Sequence, residues 1–495
     1  MRIAVIGAGA AATSVLHELH RALRPELPEV HVIDGAPRFG PGGVYREDLT
    51  SALVNRQARC MSVSYDDQDD FVTWLRTRGL VSAAVLDGEY YSRALFGGYL
   101  AERFEEAARA WAADGAPLRL VRSYVDTVRE TPDAVQLHTA DNGWESYDHV
   151  ITCTGHGRQD RAGADRDGIA APYPLATLVE RARGARDIGI VGLGLTAMDT
   201  VTALLEAGLD ARITLLSRSG FLPDVRADYP VDLPLTTPEV SPAGRLTMAA
   251  LRAQLFDELR AHGIGHGELR SYLDRLRLGI TGFVRYPEIP AEHRAIQNLC
   301  ISLANRDLPA YWYAFDDGDR KLFHDRYFRH LQAITAPVPH STARLITDGY
   351  RSGRVRIIRG TLGTADSGPV VVGEHGTERF DLLVDATGRA TSAGQVEFEL
   401  GLAATAGAQL DAYGGIRTQR ATGRLVSEGG TRSRIYVIGY ATRGSLLYSS
   451  SLYQATRNAK VVAADLRAET LDPQHPQHPH HPQHPHHIAP RSSLA

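Results

Sequence analysis

Cysteine is scarce in this chain: Cys60, Cys153 and Cys300 are scattered through 495 residues, with no CxxC pair among them. That spacing encodes neither a redox-active disulfide nor a cysteine zinc site, and it disfavours disulfide-reductase chemistry. Lysine is scarcer still. Of 54 basic residues only Lys321 and Lys460 are lysines, so nearly all the positive charge sits on arginine, whose planar fork suits bidentate contact with carboxylates and phosphates. Neither sign of charge is in large excess: a formal net charge of -4 sets up no field that would draw in nucleic acid or an anionic membrane. Long apolar runs are missing too. No stretch approaches the ~20 residues a membrane helix needs, and the early run IAVIGAGAAA lacks the length and cleavage pattern of a signal peptide. A cytoplasmic chain with no nucleic-acid or membrane partner is the expectation.

What is present is enough apolar sequence for a sizeable core, 43% of positions against 23% charged, in two or three domains. The chain opens with a strand (2–6), a glycine turn, a helix (11–23) and a second strand (30–33), which is a βαβ unit. A second unit begins at Asp187 with strand DIGIVG, turn GLGLTA, a helix to Glu206 and strand ARITLLS. Between 241 and 330 apolar residues recur at helical spacing, as in RLTMAALRAQLFDELRA and ELRSYLDRLRL. Strands return in RVRIIRGTLG and PVVVGEHGTERFDLLVDATG as an antiparallel set, then in RIYVIGY, and a last helix covers 451–467. The fold class read from this pattern is α/β, two Rossmann-like dinucleotide-binding domains with a helical insertion. Its segments are 1–184, 185–388 with the insertion at 241–330, and a return of the first domain at 389–468. From 469 to 495 the chain becomes a His/Pro-rich tail, PQHPQHPHHPQHPHH, with nothing apolar to bury and therefore expected to be disordered.

Both units carry a phosphate-binding pattern. Gly7, Gly9 and Ala12 form GxGxxA between strand and helix, where the absent side chains let the backbone reach a diphosphate at the helix N-terminus. Asp34 ends the following strand, where a carboxylate holds an adenosine ribose. Gly192, Gly194 and Ala197 repeat the pattern, but the strand after them ends in Ser217-Arg218. A hydroxyl and a guanidinium there suit the additional phosphate of NADPH rather than the bare ribose of NADH. Two dinucleotide sites in one chain imply an electron relay, nicotinamide to flavin.

The order, an acid-bearing unit first and a Ser-Arg unit inserted after it, resembles the two-dinucleotide-domain flavoproteins, in which FAD binds first and NADPH second. The strand ends ITCTGHG and DLLVDATG and the turn IYVIGY with Gly439 are similar to that superfamily's, and Gly439 is implied to face the flavin. The stretches VIDGAPRFGPGGVY, LVNRQARCMSVSYDDQDDFVTWL, YYSRALFGGYL and TLLSRSGFLP resemble a branch that includes amine N-hydroxylating monooxygenases. By that resemblance Arg38, Gly42, Gly43 and Asn55 stand near FAD, while Arg93 and Tyr99 support the loop beside it. Within the branch, EIPAEHRAIQNLCISLANRDLPAYWYAF and GYATRGSLLYSSSLYQ look like the L-aspartate N-monooxygenase (nitrosuccinate synthase) type of bacterial antibiotic and other natural-product pathways.

That resemblance implies an amine substrate, dioxygen as co-substrate and oxidation of L-aspartate through its hydroxylamine toward nitrosuccinate. A dicarboxylate needs two cations, because burying an unpaired carboxylate is costly, and Arg294 and Arg443 are the expected clamp. No residue is assigned as a catalytic base: His156, His266, His324 and His340 are candidates, but a solitary histidine is more often structural. An ornithine- or lysine-type N-hydroxylase is the competing enzymatic reading, and would place an acid or amide where aspartate requires the second arginine. A Baeyer-Villiger or sulfur oxygenase is disfavoured, since the join between the units reads GRQDRAGADRDGIAAPYPLATL with no FxGxxxHxxxW motif. A flavin-containing accessory or redox-sensing protein has less need of two intact glycine turns. Oligomeric state, a homo-oligomer included, is not fixed by the sequence.

Overall fold

The computed structural model describes residues 1–471 apart from 81–89, 158–167, 228–232, 242–245, 366–367, 374–375, 448 and 450. The first expected unit forms as β1 (Arg2–Ile6), α1 (Ala10–Leu23) and β2 (Glu29–Ile33). Two further helices of this part of the chain are α2 (Asp70–Thr77) and α3 (Arg93–Ala113). β3 (Leu118–Val121) and β7 (His149–Thr152) extend the sheet on either side, and β14 (Arg424–Val426) with β15 (Arg432–Val437) return from far along the chain to close it. The resulting order is β14-β15-β7-β1-β2-β3, parallel except for the β14–β15 pair. Ile3 and Val5 on β1 and Val30 and Val32 on β2 are fully buried, as strands covered on both faces require. α1 packs against α3 and against the last helix, α16 (Leu452–Leu471). A three-stranded antiparallel sheet, β4 (Val125–Glu130), β5 (Val135–Thr139) and β6 (Gly143–Tyr147), interrupts the unit between β3 and β7.

The second unit is built likewise from β8 (Asp187–Val191), α5 (Leu195–Glu206) and β9 (Arg212–Ser217), preceded by the short α4 (Leu175–Arg181). Its sheet has the order β12-β11-β10-β9-β8-β13, with β10 (Val355–Ala365), β11 (Gly368–Gly373), β12 (Gly376–Glu378) and β13 (Leu382–Asp385). In this sheet only the β10–β11 and β11–β12 pairs are antiparallel. β10 runs parallel to β9, and β13 parallel to β8. The antiparallel set expected from the sequence is thus half right: β10, β11 and β12 pair as chain neighbours, but β10 and β13 each join the parallel core by a crossover that no local signal encodes. Leu175 and Leu178 of α4 pack in the same core as Ile188 and Ile190, so this core recruits chain ahead of residue 185.

Helices α6 to α13 run from Met248 to Arg351, past the expected end of the insertion at 330. Within them the carboxylate of Asp224, 2% exposed, is fully engaged: it accepts from Tyr272 (2.8 Å), Arg275 (2.7 Å), Gln297 (2.8 Å) and the Val225 N–H (2.8 Å). A buried charge is tolerated only with such a full set of partners. α14 (Arg389–Ala406) then leads back toward the first unit. The tail begins later than expected, because 469–471 belong to α16: the guanidinium of Arg424, 1% exposed, holds Asp465 at 2.7 Å and also binds Glu469. Residues 472–495, with the His/Pro repeat, lie outside the described residues. No described helix is long and apolar enough to cross a membrane.

Arg424 also donates to the Ser433 carbonyl at 2.7 Å, so it pins α16 to the β14–β15 hairpin. Replacing Arg424 by Ala leaves two carboxylates without their buried partner and should destabilise the protein by about 3–5 kcal/mol, read as a lower denaturation midpoint in urea.

Candidate active site

The two glycine turns are built alike. Strand β1 delivers the chain into Gly7 at φ +99°, where a Cβ would stand 2.5 Å from the Cys153 carbonyl oxygen. Strand β8 delivers it into Gly192 at φ +117°, where a Cβ would stand 2.6 Å from the Ala386 carbonyl oxygen. Only glycine combines that backbone angle with that approach. Each turn is held from both sides. The Gly7 N–H donates to Ile33 O (2.9 Å) and the Cys153 N–H to Ile6 O (2.7 Å); in the second unit the Gly192 N–H donates to Leu216 O (2.8 Å) and the Ala386 N–H to Val191 O (2.9 Å). Gly9 and Gly194 then cap α1 and α5 in extended conformation, and neither brings a side chain that could occupy the first-turn N–H groups. Those donors are left for an anion.

Around the first turn the residues fit an adenine dinucleotide. Gly42 crosses directly above, a Cβ on it falling 3.1 Å from the Gly9 Cα. The Asp34 carboxylate accepts the Ala8 N–H (2.7 Å) and the Ala36 N–H (2.8 Å), one on each oxygen, which aims its remaining lone pairs at the space where a ribose would lie. Burial raises its pKa, and the two N–H donors pull it back. A cavity of about 810 Å³ opens from here. Gly7, Gly9, Asp34, Gly42, Gly43 and Gly439 wall it from the first unit; Thr196, Thr387 and Gly388 wall it from the second.

The other predicted residues fall into three groups. Ala12 and Ala197 are fully buried behind their turns, where a larger side chain would separate helix from strand. Arg93 lines the cavity and crosses to the second unit, forming an ion pair with Asp199 at 2.6 Å. Tyr99 is buried as a loop support, its hydroxyl donating to Asp70 at 2.6 Å and accepting the Val63 N–H at 3.1 Å. Arg38 and Asn55 stand off the wall. Arg38 is exposed and faces Glu47 at 3.7 Å, and Asn55 offers its carbonyl to Arg226 at 2.6 Å. Neither approach is visible in the sequence, because each depends on where a loop folds back.

At the far end of β9 the Ser217 hydroxyl accepts the Gly220 N–H at 3.0 Å and Arg218 is exposed. A third residue joins them that the sequence reading missed. Arg359 pairs in register with Ser217 across the β9–β10 ladder, and its guanidinium lies against Gly220. Local sequence could not reveal it, since the two positions are 142 apart and meet only through the parallel crossover.

Arg294 and Arg443 are not brought together. Arg294 borders a narrow cleft with Asp224, Arg226 and Gln297 and donates to Ile289 O at 3.3 Å. Arg443 forms a two-pronged ion pair with Glu399 (2.5 and 2.8 Å), and Glu399 in turn accepts from Gln395, whose amide oxygen takes the Thr154 hydroxyl. Of the four histidines only His156 lines the cavity, its ring 4.3 Å from that of Tyr440. Desolvation by the surrounding wall and the Arg443 guanidinium both hold its pKa below the usual value. His266 stacks on Phe256, His324 on Phe328, and His340 packs by Tyr286.

Comparison with known proteins agrees with this geometry. Residues 4–157 match a family model described as FAD-NAD(P)-binding. No curated protein matches the chain by sequence. Among solved structures, the chain is similar to the ornithine N-hydroxylase of Kutzneria sp. 744, solved with reduced FAD, NADP+ and L-ornithine, at TM-score 0.56 and 15% identity over 94% of this chain and 99% of that one. It is similar also to the cadaverine monooxygenase of the desferrioxamine pathway of Erwinia amylovora, solved with FAD (TM-score 0.58, 13% identity, 100% and 99% covered). A third likeness is the L-lysine 6-monooxygenase of Pseudomonas syringae (TM-score 0.57, 13% identity, 94% and 99% covered). The expected α/β architecture of two dinucleotide-binding units is therefore shared with these proteins along their whole length. If the Asp34 carboxylate holds the ribose, replacing it by Ala should lower the flavin retained on purification by about tenfold, measured as the ratio of flavin to protein absorbance.

Proposed function

We propose that this chain is an FAD- and NADPH-dependent monooxygenase that hydroxylates the nitrogen of a small aliphatic amine. One observation carries the reading: a single cavity is walled by the glycine turn and ribose acid of one dinucleotide unit and by the strand end and helix of another. FAD would lie along Gly7, Gly9, Asp34, Gly42, Gly43 and Gly439, and NADPH along Gly192 and Gly194 with its 2'-phosphate at Ser217, Arg218 and Arg359. Bound flavin, once reduced, supplies the oxygen chemistry. The chain's own contribution is to bind and orient. Tyr45, Ala52, Leu452 and Ala455 give the cavity an apolar wall, and His156 lines the same cavity beside Tyr440.

For the substrate, the arrangement favours a terminal amine of the ornithine, lysine or cadaverine kind, on which the three similar structures act, over a dicarboxylate. The clamp envisaged for L-aspartate needs two cations in one place, whereas Arg443 is already neutralised by Glu399 and Arg294 borders a different cleft. L-Aspartate is the competing substrate, supported by the resemblance of the central and late segments. It would have to displace Glu399 from Arg443 and leave that carboxylate, 3% exposed, without its cation.

Incubation with NADPH, oxygen and each of L-ornithine, L-lysine, cadaverine and L-aspartate, with products followed by mass spectrometry, tests the reading. A product heavier by one oxygen from a terminal amine is expected. Oxidation of L-aspartate alone would restore the dicarboxylate assignment, and NADPH consumption that yields only hydrogen peroxide with all four would refute N-hydroxylation of these amines. Removing both Arg218 and Arg359 by substitution with Ala should raise KM for NADPH by about 10- to 100-fold and leave KM for NADH nearly unchanged, as steady-state kinetics with the two coenzymes would show.

A further inference from the structure

We infer that Arg93, Asp199 and Tyr173 form a strut between the two dinucleotide units that sets where the nicotinamide meets the flavin, and that Arg93 also keeps Asp199 from repelling NADPH. The inference rests on the functional reading above and assigns positioning roles within it.

Arg93 opens α3 in the first unit, where its N–H donates to Ala52 O at 2.7 Å and its Nε to Leu53 O at 3.3 Å. Its guanidinium reaches across the cavity to Asp199 on α5 (2.6 Å) and to the Tyr173 hydroxyl (2.9 Å), and that hydroxyl donates to Asp199 at 2.5 Å. Three groups on two units thus close a ring of hydrogen bonds, with Arg93 and Asp199 only 15% and 12% exposed. Beside it Asp48 of the first unit accepts the Leu175 and Ala176 N–H groups at the start of α4, so the second unit is gripped at two neighbouring points. Arg93, Tyr173 and Asp48 all border the cavity, at the side where Thr196 of α5 also contributes. A strut at that place fixes the angle between the two turns, and a nicotinamide displaced by one ångström is enough to slow hydride transfer greatly.

Charge gives the second half. Asp199 lies one turn inside α5, and helical side chains lean toward the N-terminus, toward the very N–H groups around Gly194 that would hold the NADPH diphosphate. Without a cation its carboxylate would repel that diphosphate. Arg93 supplies the cation from the other unit, so the residue that holds the units together is also the one that makes the second site attractive to an anion.

The two roles separate experimentally. NADP+ binding is measured by calorimetry on protein with its native flavin, and flavin reduction by NADPH in a stopped flow, for wild type, Asp199→Asn, Tyr173→Phe, Arg93→Gln and the Arg93→Gln/Asp199→Asn pair. Arg93→Gln should weaken NADP+ binding by about tenfold, and the second substitution should restore it. Asp199→Asn and Tyr173→Phe should bind NADP+ nearly as wild type yet reduce flavin about tenfold more slowly. Asp199 and Tyr173 belong to the second unit and leave the Arg93 contacts to Ala52 and Leu53 in place, so these two variants read the strut even where Arg93→Gln loses flavin. Reduction at the wild-type rate in both, or NADP+ binding in Arg93→Gln equal to wild type, would overturn the inference. Wild-type flavin left oxidised by NADPH would instead overturn the functional reading, with the calorimetric comparison still reporting on Arg93 and Asp199.

Discussion

The architecture turns on one contact made twice: a strand end laid so closely over a glycine turn that no Cβ can stand between them. Gly7 beneath Cys153 and Gly192 beneath Ala386 have the same sign of φ and the same obstructing carbonyl. Their flanking hydrogen bonds come from equivalent places in the two sheets. That contact obliges β7 to lie beside β1 and β13 beside β8. It also brings Thr154-Gly155 and Thr387-Gly388, the residues just after the obstructing carbonyls, to the cavity wall. A cavity shared by two units follows because each strand end, having crossed its own turn, hands the chain to the other unit. The chain leaves the first after Gly155 and leaves the second after Gly388.

How far this was legible depends on the range of the interaction. The glycine turns, Asp34 and the Ser217-Arg218 strand end were readable because strand, turn and helix are contiguous and the hydrophobic period changes across them. The residues that the fold adds beside each turn were not. Arg359 reaches Ser217 through a crossover, and the Arg93 guanidinium finds Asp199 106 positions along the chain, so neither partner leaves a mark near the other. The Arg294 and Arg443 pairing failed for a related reason. Sequence shows how many arginines exist but not which carboxylates claim them, and Glu399 on α14 is a claimant with nothing in its own segment to announce it.

The same logic explains the helical insertion. Its apolar period was visible, yet its anchorage is polar: Asp224, just after the second nucleotide unit, gathers Tyr272, Arg275 and Gln297 from two separate helices around one buried carboxylate. Such a centre costs free energy unless complete, and each donor fits only one helix placement. The narrow cleft that Arg294 borders is the outer face of this knot, which makes Arg294 a neighbour of the insertion's anchorage rather than of the main cavity.

Charge pairing then bears on what the proposed reaction would accept. Two arginines are already committed: Arg443 to Glu399 through both guanidinium arms, and Arg93, on the cavity wall, to Asp199 across the units. Arg46, also on the wall, has no ion-pair or hydrogen-bond partner among the described residues. One uncommitted guanidinium suits one carboxylate. An amino acid whose reactive amine lies at the far end of an apolar chain presents a single carboxylate near that amine's opposite end, and a diamine presents none. A dicarboxylate presents two, and the second would find only cations whose release exposes a buried acid. Under the proposed function, the pairing of Arg443 with Glu399 therefore weighs against a small diacid as substrate.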